Sequence, residues 1–383
     1  MDKPTVQDIF HRFYPAYLDQ YSPSPVQAKV AHNIMNCKTG AYGANVCVCE
    51  DCGFVQIHYN SCRNRCCPMC QAVPKEMWMD ARREDVLDAP YFHLVFTVPD
   101  ILNPVIYSNQ RLLYDALYHA ASSTISELTA DPKHLGAKVG YICILHTWGS
   151  EMNFHPHIHA ILLGGGLASN NQWKDNGENF FLPIRVISKM FRGKYLEELK
   201  RLWKEDKLVF HGTAEKFRNH YTFKELLDSC YGMDWIPHCK KTFNGAQTVI
   251  KYLGKYTHRI AVSNHRTVRM DDDTVTFLVK DYRNEGQWKE LTISGVEFVR
   301  RFLMHVPPRR FVRIRHYGLL CSRTKSQKLT LCRNLLGCKK YLSKLRDMEM
   351  PEILEHLYGI KVCVCKACGG HLGKPQMRMP LRC

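Results

Sequence analysis

The spacing of apolar positions along the chain predicts a mixture of helices and extended strands. Apolar residues recur at helical spacing in residues 1–36, 75–88, 104–128, 186–206, 213–229 and 245–260. Short β-branched and aromatic runs bounded by Pro or Gly predict strands at residues 91–98, 138–148 and 155–163, followed by a strand-rich stretch at 264–294. The order strand, helix, strand, strand predicts an α+β fold with an antiparallel central sheet flanked by helices.

The length of 383 residues leaves room for more than one domain. Changes in composition predict a helical, cysteine-rich region at residues 1–88, a core at 89–265 and a basic region at 266–383. No stretch of 18 apolar residues is present, and the first residues lack the basic-then-apolar pattern of a secretion signal. We therefore expect a cytoplasmic protein with no membrane partner.

The charge balance favours a polyanionic partner. Lys and Arg outnumber Asp and Glu by 53 to 36, and each phosphate that a cation neutralises releases counterions. The excess is concentrated in residues 299–346. A solvated basic face that binds nothing is the alternative interpretation.

The 18 cysteines are many for a chain expected in a reducing compartment, where clustered cysteines usually bind metal. Two Cys-x-x-Cys pairs, Cys49 with Cys52 and Cys67 with Cys70, predict one structural zinc site with four sulfur ligands. Such a site leaves zinc no open position, so we do not expect catalysis there.

Other cysteines could bind further zinc ions. Four lie close to the first cluster in sequence and either hold a second ion or fill apolar space: Cys37, Cys47, Cys62 and Cys66. Another group stands near the end of the sequence: Cys363, Cys365 and Cys368. His371 or Cys383 could complete a site with this last group. Zinc modules of this kind either bind DNA or are purely structural, and the sequence leaves both roles open.

Three histidines alternate along the third predicted strand. His155, His157 and His159 stand at every second position, so their side chains share one face of the strand. Two imidazoles on a rigid strand can hold a divalent ion, with a third ligand from His155 or elsewhere. Positions left open on the ion could polarise a phosphate oxygen. A non-catalytic zinc site is the alternative.

Two tyrosines lie one helical turn apart in the stretch 245–260. The hydroxyls of Tyr252 and Tyr256 therefore emerge on the same face of the predicted helix. Four basic residues surround them and are candidates for DNA binding: Lys251, Lys255, His258 and Arg259. A phenol has a pKa near 10 and needs a metal ion or nearby cations to attack at neutral pH. Two core tyrosines on an amphipathic helix are the alternative.

Together these residues resemble the HUH endonuclease superfamily, and within it the two-tyrosine rolling-circle transposases of the insertion sequence 91 family. The resemblance covers most of the chain. It rests on NSCRNR at 60–65 with CPMC at 67–70, HLVFTVP at 93–99, HPHIH at 155–159, YLGKYTHRIAVSNH at 252–265 and HYGLL at 316–320. Cys66 departs from the family, which usually has His at this position.

The resemblance implies an HUH endonuclease core with an N-terminal zinc-binding module for DNA recognition. It implies that His157 and His159 bind Mg²⁺ or Mn²⁺, and that Tyr252 and Tyr256 are the nucleophiles that form 5′-phosphotyrosine. The implied partners are single-stranded DNA at transposon ends and target, and the host replication machinery for strand displacement. The implied place of action is the bacterial nucleoid.

Three alternatives stay open. A rolling-circle replication initiator or relaxase would share the nicking chemistry. A zinc-finger DNA-binding protein would have no enzymatic role. A metal-dependent nuclease that uses water would cleave DNA without a covalent adduct.

Overall fold

The computed structural model describes residues 3–176, 182–235, 238–243, 249, 254, 261–281, 284–374 and 376–378. The strands in these residues are β1 Ala44–Val48, β2 Val55–Tyr59, β3 Tyr91–Thr97, β4 Lys138–Trp148, β5 Phe154–Leu167, β6 Trp173–Asp175, β7 His238–Phe243, β8 Thr267–Met270, β9 Thr274–Asp281, β10 Gln287–Ser294, β11 Ile314–Gly318 and β12 Gln376–Arg378.

The helices in the same residues are α1 Val6–Gln20, α2 Pro25–Met35, α3 Ala72–Arg83, α4 Asn103–Ser108, α5 Gln110–Ala130, α6 Ile184–Lys204, α7 His220–Gly232, α8 Gly295–Met304, α9 Lys325–Leu336 and α10 Met350–Tyr358. Among them, none combines the length and apolar character needed to cross a membrane. Short 3₁₀ turns connect several of these elements, including the stretch Gly212–Arg218 before α7.

The apolar runs of the sequence form the middle of a six-stranded antiparallel sheet. Its order is β11, β4, β5, β3, β7, and the short strand β6 pairs with the far end of β5. Strands β3, β4 and β5 coincide closely with the three predicted strands, and helices flank the sheet. The α+β class with an antiparallel central sheet is therefore confirmed.

One face of the central sheet is mostly apolar and packs against α5 and α6. Side chains alternate along each strand, so every second residue points to this side. The residues on this face are Phe92, Leu94, Phe96, Cys143, Leu145, Ile158, Ala160 and Leu162. They share a continuous core with the buried side chains of α5 and α6, and this core holds the sheet rigid from behind.

The opposite face of the sheet is apolar at one end and carries histidines at the other. The apolar end consists of Tyr91, Ile142, Ile144, Ile161 and Leu163, and Leu329 of α9 and Val249 belong to the same cluster. Trp78 and Met79 of α3 pack against this cluster. We call this side of the sheet the histidine face, because the alternation continues into His93, His146, His157 and His159.

A second core joins segments from the two ends of the described chain. Helices α1 and α2 pack against α8 and the sheet of β8, β9 and β10, and the rings of Phe10 and Phe302 meet edge to face at 5.2 Å. Gly295 allows this approach, since a Cβ atom there would collide with the ring of Phe13. The buried Arg266 links this core to the central sheet, donating to the carbonyls of Ala261, Leu278 and Ser150.

The packing crosses the boundaries predicted at residues 88/89 and 265/266. Strand β11 pairs with β4 of the central sheet, and β12 pairs with β1. The carboxylates of α3 also hold the late basic segment: Asp80 accepts from the hydroxyls of Tyr341 and Ser343, each at 2.6 Å. Composition cannot reveal such pairings, because they join residues that are far apart in sequence.

Part of the basic charge after residue 299 is neutralised within the protein. Arg300 and Arg301 both contact Glu297. Three further pairs join this region to other elements: Arg315 to Asp115, Lys325 to Asp85 and Arg346 to Glu84. These five basic residues therefore contribute to contacts within the protein.

Candidate metal centres and nucleophile segment

Strands β4 and β5 form the hairpin that carries three of the four histidines named on the histidine face. A five-residue turn, 149–153, joins the strands, and the amide of Gly149 donates to the carbonyl of Asn153 at 3.1 Å. The register places His146 directly opposite His157, and Ile144 opposite His159. Since paired residues of neighbouring strands share a face, His146 joins the histidines of β5.

His146, His157 and His159 form a compact, buried group. Their candidate ligand atoms all lie within 4.8 Å of one another, and the Nε2 atoms of His157 and His159 are 3.0 Å apart. Two neighbouring ligands of an octahedral ion with bonds of about 2.1 Å would be separated by about 3.0 Å. The residues present therefore fit a metal ion. Three protein ligands leave further positions for a phosphate oxygen or water.

The imidazoles of His157 and His159 are neutral near pH 7, as metal ligands must be. Burial lowers the pKa of His157 to about 4, with a smaller contribution from His155. Burial also lowers the pKa of His159, and His146, His157 and His93 add to the effect. Both lone pairs are therefore available near pH 7. A set of three nitrogen donors suits a first-row transition ion better than Mg²⁺, which prefers oxygen.

Hydrogen bonds at Nδ1 orient the two rings of β5. His157 Nδ1 lies 2.7 Å from the carbonyl oxygen of His155, so this nitrogen donates and Nε2 stays free for an ion. His159 Nδ1 lies 2.8 Å from Nε2 of His93, and these two rings stack at 5.1 Å. Partners behind the ligands fix the tautomer and the ring orientation.

His155, a candidate for the third ligand, lies outside the group of His146, His157 and His159. Its side chain is 32% exposed and its Nδ1 lies 3.3 Å from a carboxylate oxygen of Asp100. His146 takes its place because the third donor comes from the neighbouring strand and not from further along β5. The sequence contains a signal for His146. His146 and His157 stand almost equally far from the middle of the turn between the two strands, so an antiparallel pairing of these strands places them opposite each other.

One four-sulfur group combines Cys37, Cys62, Cys67 and Cys70. Cys37 follows α2, and the others lie between β2 and α3. The sulfurs of Cys62 and Cys70 are 3.8 Å apart. This equals the edge of a tetrahedron around zinc, about 3.8 Å for Zn–S bonds of about 2.3 Å. The group therefore fits a structural zinc ion.

A second four-sulfur group combines Cys49, Cys52, Cys365 and Cys368. The predicted single site of Cys49, Cys52, Cys67 and Cys70 is thus corrected: its two pairs belong to different groups. The reason is long-range packing, since β12 pairs with β1 and brings the last pair to the turn after β1.

Cys66, for which the sequence left open a ligand of a second zinc ion or a buried apolar filler, lies outside both groups. It is buried in the core of α1, α2 and α8, and its amide donates to the side chain of Asn64 at 2.8 Å. Burial raises the pKa of its thiol, which keeps the sulfur protonated. Cys47 and Cys363 likewise belong to neither of the groups found in the described residues.

The two tyrosines and the four basic residues of their segment lie outside the described residues, namely Tyr252, Tyr256, Lys251, Lys255, His258 and Arg259. Val249 and Gly254 of the same segment are described, and both are helical and buried. Val249 packs in the apolar cluster on the histidine face. A Cβ atom at Gly254 would collide with the sulfur of Met79, so this glycine allows close packing against α3.

Comparison with known proteins reveals two family models that match the chain. Residues 9–98 match Zn_Tnp_IS91, a "Transposase zinc-binding domain", and residues 140–328 match Y2_Tnp, described as "Putative transposase". The protein "Putative transposase y4qJ" of Sinorhizobium fredii is 40% identical over 369 residues, which are 95% of this chain and 93% of that protein. The chain belongs to the IS91 family of transposases.

Two further comparisons complete the description of this transposase. The transposase for insertion sequence element IS801 of Pseudomonas savastanoi pv. phaseolicola is 30% identical over 309 residues, covering 79% of this chain and 72% of that protein. The conjugative relaxase TrwC in complex with oriT DNA aligns with 43% of this chain and 71% of its own, at 14% identity and a TM-score of 0.25. A similarity that low carries no argument about fold or mechanism.

Proposed function

We propose that this transposase nicks and rejoins single-stranded DNA through 5′-phosphotyrosine, as a step of rolling-circle transposition. The observation that carries the proposal is the group of His146, His157 and His159, whose ligand atoms converge on the histidine face. The catalytic ion would be Mn²⁺ or Mg²⁺, and zinc would occupy the cysteine groups. An ion at the histidines would polarise the scissile phosphate and neutralise the charge that develops on it.

Tyr252 and Tyr256 are the proposed nucleophiles. Val249 supports their placement on this side of the sheet, because it stands three residues before Tyr252 in the sequence and packs in the apolar cluster on the histidine face. In the reaction a tyrosine oxygen forms a bond to phosphorus, and the bond from phosphorus to the 3′ oxygen breaks. The phenol loses its proton and the 3′ oxygen gains one. The new phosphodiester conserves the energy of the old one, so the strand can be rejoined without ATP.

The proposed partner is single-stranded DNA at the transposon ends and target. Lys251, Lys255, His258 and Arg259 are proposed to contact its phosphates, since they stand beside the tyrosines in sequence. Host replication machinery would displace the strand, and the transposase would act at the bacterial nucleoid. Residues 1–88, with the cysteine groups, are proposed to recognise the DNA ends.

The three alternatives predict different products. A relaxase or replication initiator would act at a plasmid origin and not at element ends. A nuclease that uses water would release both cleaved fragments from the protein. A purely DNA-binding zinc protein would bind without cleaving, and the converging neutral imidazoles on the histidine face argue against it.

A covalent adduct tests the proposal. Purified protein incubated with labelled single-stranded element-end DNA and Mn²⁺ should yield a shifted band that survives boiling in detergent. A variant with Tyr252→Phe and Tyr256→Phe should lose this band and keep salt-sensitive DNA binding. Removal of the metal with a chelator should abolish the band, and Mn²⁺ should restore it.

The matched control replaces tyrosines that lie elsewhere on the protein. Tyr221→Phe and Tyr231→Phe, both on α7 and exposed, should leave the adduct unchanged. If the variant lacking Tyr252 and Tyr256 hydroxyls still forms the adduct, the tyrosine assignment is wrong. If cleavage occurs without any adduct, water is the nucleophile.

A further inference from the structure

The group of Cys49, Cys52, Cys365 and Cys368 joins two segments that lie 319 residues apart between Cys49 and Cys368. The matched zinc-binding domain ends at residue 98, so two of these four cysteines lie outside it. We propose that this group binds a second structural zinc ion, distinct from that of Cys37, Cys62, Cys67 and Cys70, and that the ion anchors residues 363–378 to the hairpin of β1 and β2.

The sulfur positions fit a tetrahedral ion. Cys49 Sγ lies 3.6 Å from Cys368 Sγ, and Cys52 Sγ lies 3.7 Å from Cys365 Sγ. These separations are close to the edge of about 3.8 Å expected around zinc. A disulfide would require about 2.05 Å. Each of the two contacts joins one cysteine of the first pair to one of the second, as a shared ion requires.

The two Cys-x-x-Cys-Gly segments fold into the same turn. The amide of Gly53 donates to the carbonyl of Cys49 at 3.0 Å, and that of Gly369 donates to the carbonyl of Cys365 at 2.9 Å. Both glycines have positive φ, 69° and 76°. This backbone conformation favours glycine, and it lets both sulfurs of a pair face the same point.

The two Cys-x-x-Cys-Gly segments also share a second backbone hydrogen bond, from the first cysteine of each segment to the residue after the glycine. The amide of Cys49 donates to the carbonyl of Phe54 at 2.9 Å, and that of Cys365 donates to the carbonyl of Gly370 at 2.8 Å. In the second segment the amides of Ala367 and Gly370 also point at the sulfurs of Cys365 and Cys368, each at 3.4 Å. Amide donors stabilise thiolates, the form that binds zinc. Two matching halves with converging sulfurs are the architecture of a four-sulfur zinc site.

The apolar contacts around this group are too few to hold the two segments together. Among the described residues, the buried cluster consists of Cys47, Cys49, Cys365 and Leu372. The remaining contacts are mostly polar: β12 pairs with β1 over three residues, and the amide of Glu50 donates to the carbonyl of His371 at 3.1 Å. A core this small needs a metal or a disulfide to be stable. His371, a candidate ligand from the sequence, contacts the hairpin through its backbone carbonyl. Cys49 and Cys52 instead complete the set of four ligands with Cys365 and Cys368.

The second zinc should be the more accessible of the two. Cys52 and Cys368 are exposed, whereas Cys37 and Cys67 of the other group are fully buried. A chelator should therefore remove the ion of the Cys49 group first. Its loss should free residues 363–378 from the hairpin, while the core of α1, α2 and α8 keeps the other site closed.

The test compares zinc content between two variants of the full chain. A variant with Cys365→Ser and Cys368→Ser should contain one zinc ion per chain fewer than the unmodified protein. Cys363→Ser is the matched control, since Cys363 is exposed, lies two residues from Cys365 and belongs to neither sulfur group. This control should retain the full zinc content. Neither measurement depends on the nicking activity.

Limited trypsin digestion supplies a second measurement. Lys366 lies in the anchored segment and is followed by Ala367, so trypsin can cleave after it. Cleavage there should accelerate at least tenfold in the double variant and after mild chelation of the unmodified protein. A single Cys368→His variant should keep its zinc, because three sulfurs and one imidazole also form a zinc site. Unchanged zinc content in the double variant, or unchanged cleavage at Lys366 when the unmodified protein is treated with the chelator, would overturn the proposal.

Discussion

The histidine group and the cysteine groups differ in how far apart their ligands lie along the chain. The three histidines span residues 146–159 and come from one hairpin. The cysteines of the second group span residues 49–368 and come from segments that the pairing of β12 with β1 brings together. In a hairpin, the register of two neighbouring strands determines which side chains can bind the same ion. A Cys-x-x-Cys turn supplies only two of the four ligands of a zinc site. The partner of such a pair depends on packing elsewhere in the protein.

The largest expected effect comes from removing a ligand of the group Cys37, Cys62, Cys67 and Cys70, and it tests whether the structure assigns the right cysteines to this site. Cys62→Ala should remove one zinc ion and lower the free energy of unfolding by more than about 5 kcal/mol, because zinc binding contributes directly to folding. Cys66→Ala should keep the zinc and cost only about 1–2 kcal/mol, the cost of a small buried cavity. Zinc analysis and denaturant unfolding measure both.

The cysteine comparison has a clear negative outcome. If Cys66→Ala loses the ion and Cys62→Ala retains it, the grouping seen in the structure is wrong for this site. Equal loss in both variants would indicate that the ion depends on the packing of the whole segment and not on the ligand set.

The next largest effect concerns the third histidine. His146→Ala should reduce the rate of adduct formation about a thousandfold, since a catalytic ion contributes several kcal/mol to the transition state. His155→Ala should change it less than about fivefold, because a partly exposed polar contact with Asp100 contributes little. Single-turnover assays at saturating Mn²⁺ measure both rates. The reverse ranking would restore His155 as the third ligand.

The smallest effect tests whether burial alone makes a histidine resemble a ligand. His305 is buried outside the metal group: its Nε2 donates to the carbonyl of Met152 at 3.0 Å, and its Nδ1 accepts from the hydroxyl of Thr147 at 3.2 Å. Burial lowers the pKa of His305 to about 4, below the ordinary value of 6.5. Its contribution to stability is therefore complete above about pH 6.5 and is lost as the pH falls towards 4.

His305→Gln should flatten this pH dependence, because an amide can both donate and accept but does not titrate in this range. The loss of unfolding free energy between pH 6.5 and pH 4 should be about 1–3 kcal/mol smaller than in the unmodified protein. Denaturant unfolding at each pH measures it. Parallel curves for the two proteins would show that His305 does not take up a proton in this window.

Much of the central sheet could be predicted, because its strands are long and buried. The runs at 91–98, 138–148 and 155–163 became β3, β4 and β5, and residues 264–294 became β8, β9 and β10. Strands β11 and β12 were not predicted, since each is short and acquires its conformation by pairing with a strand far away in sequence. His93 was quoted only as part of a motif, and its contact with His159 depends on the pairing of β3 with β5.

The sequence by itself determined the kinds of ligand and their local geometry: alternating histidines on a strand, cysteine pairs on tight turns, and a basic chain that resembles the IS91 family. These features depend on residues within one turn or one strand of each other, and backbone geometry fixes their relation. Only the tertiary structure decided that His146 replaces His155, and that Cys49 and Cys52 join Cys365 and Cys368. Those choices depend on strand register and long-range packing, in which many weak contacts act together.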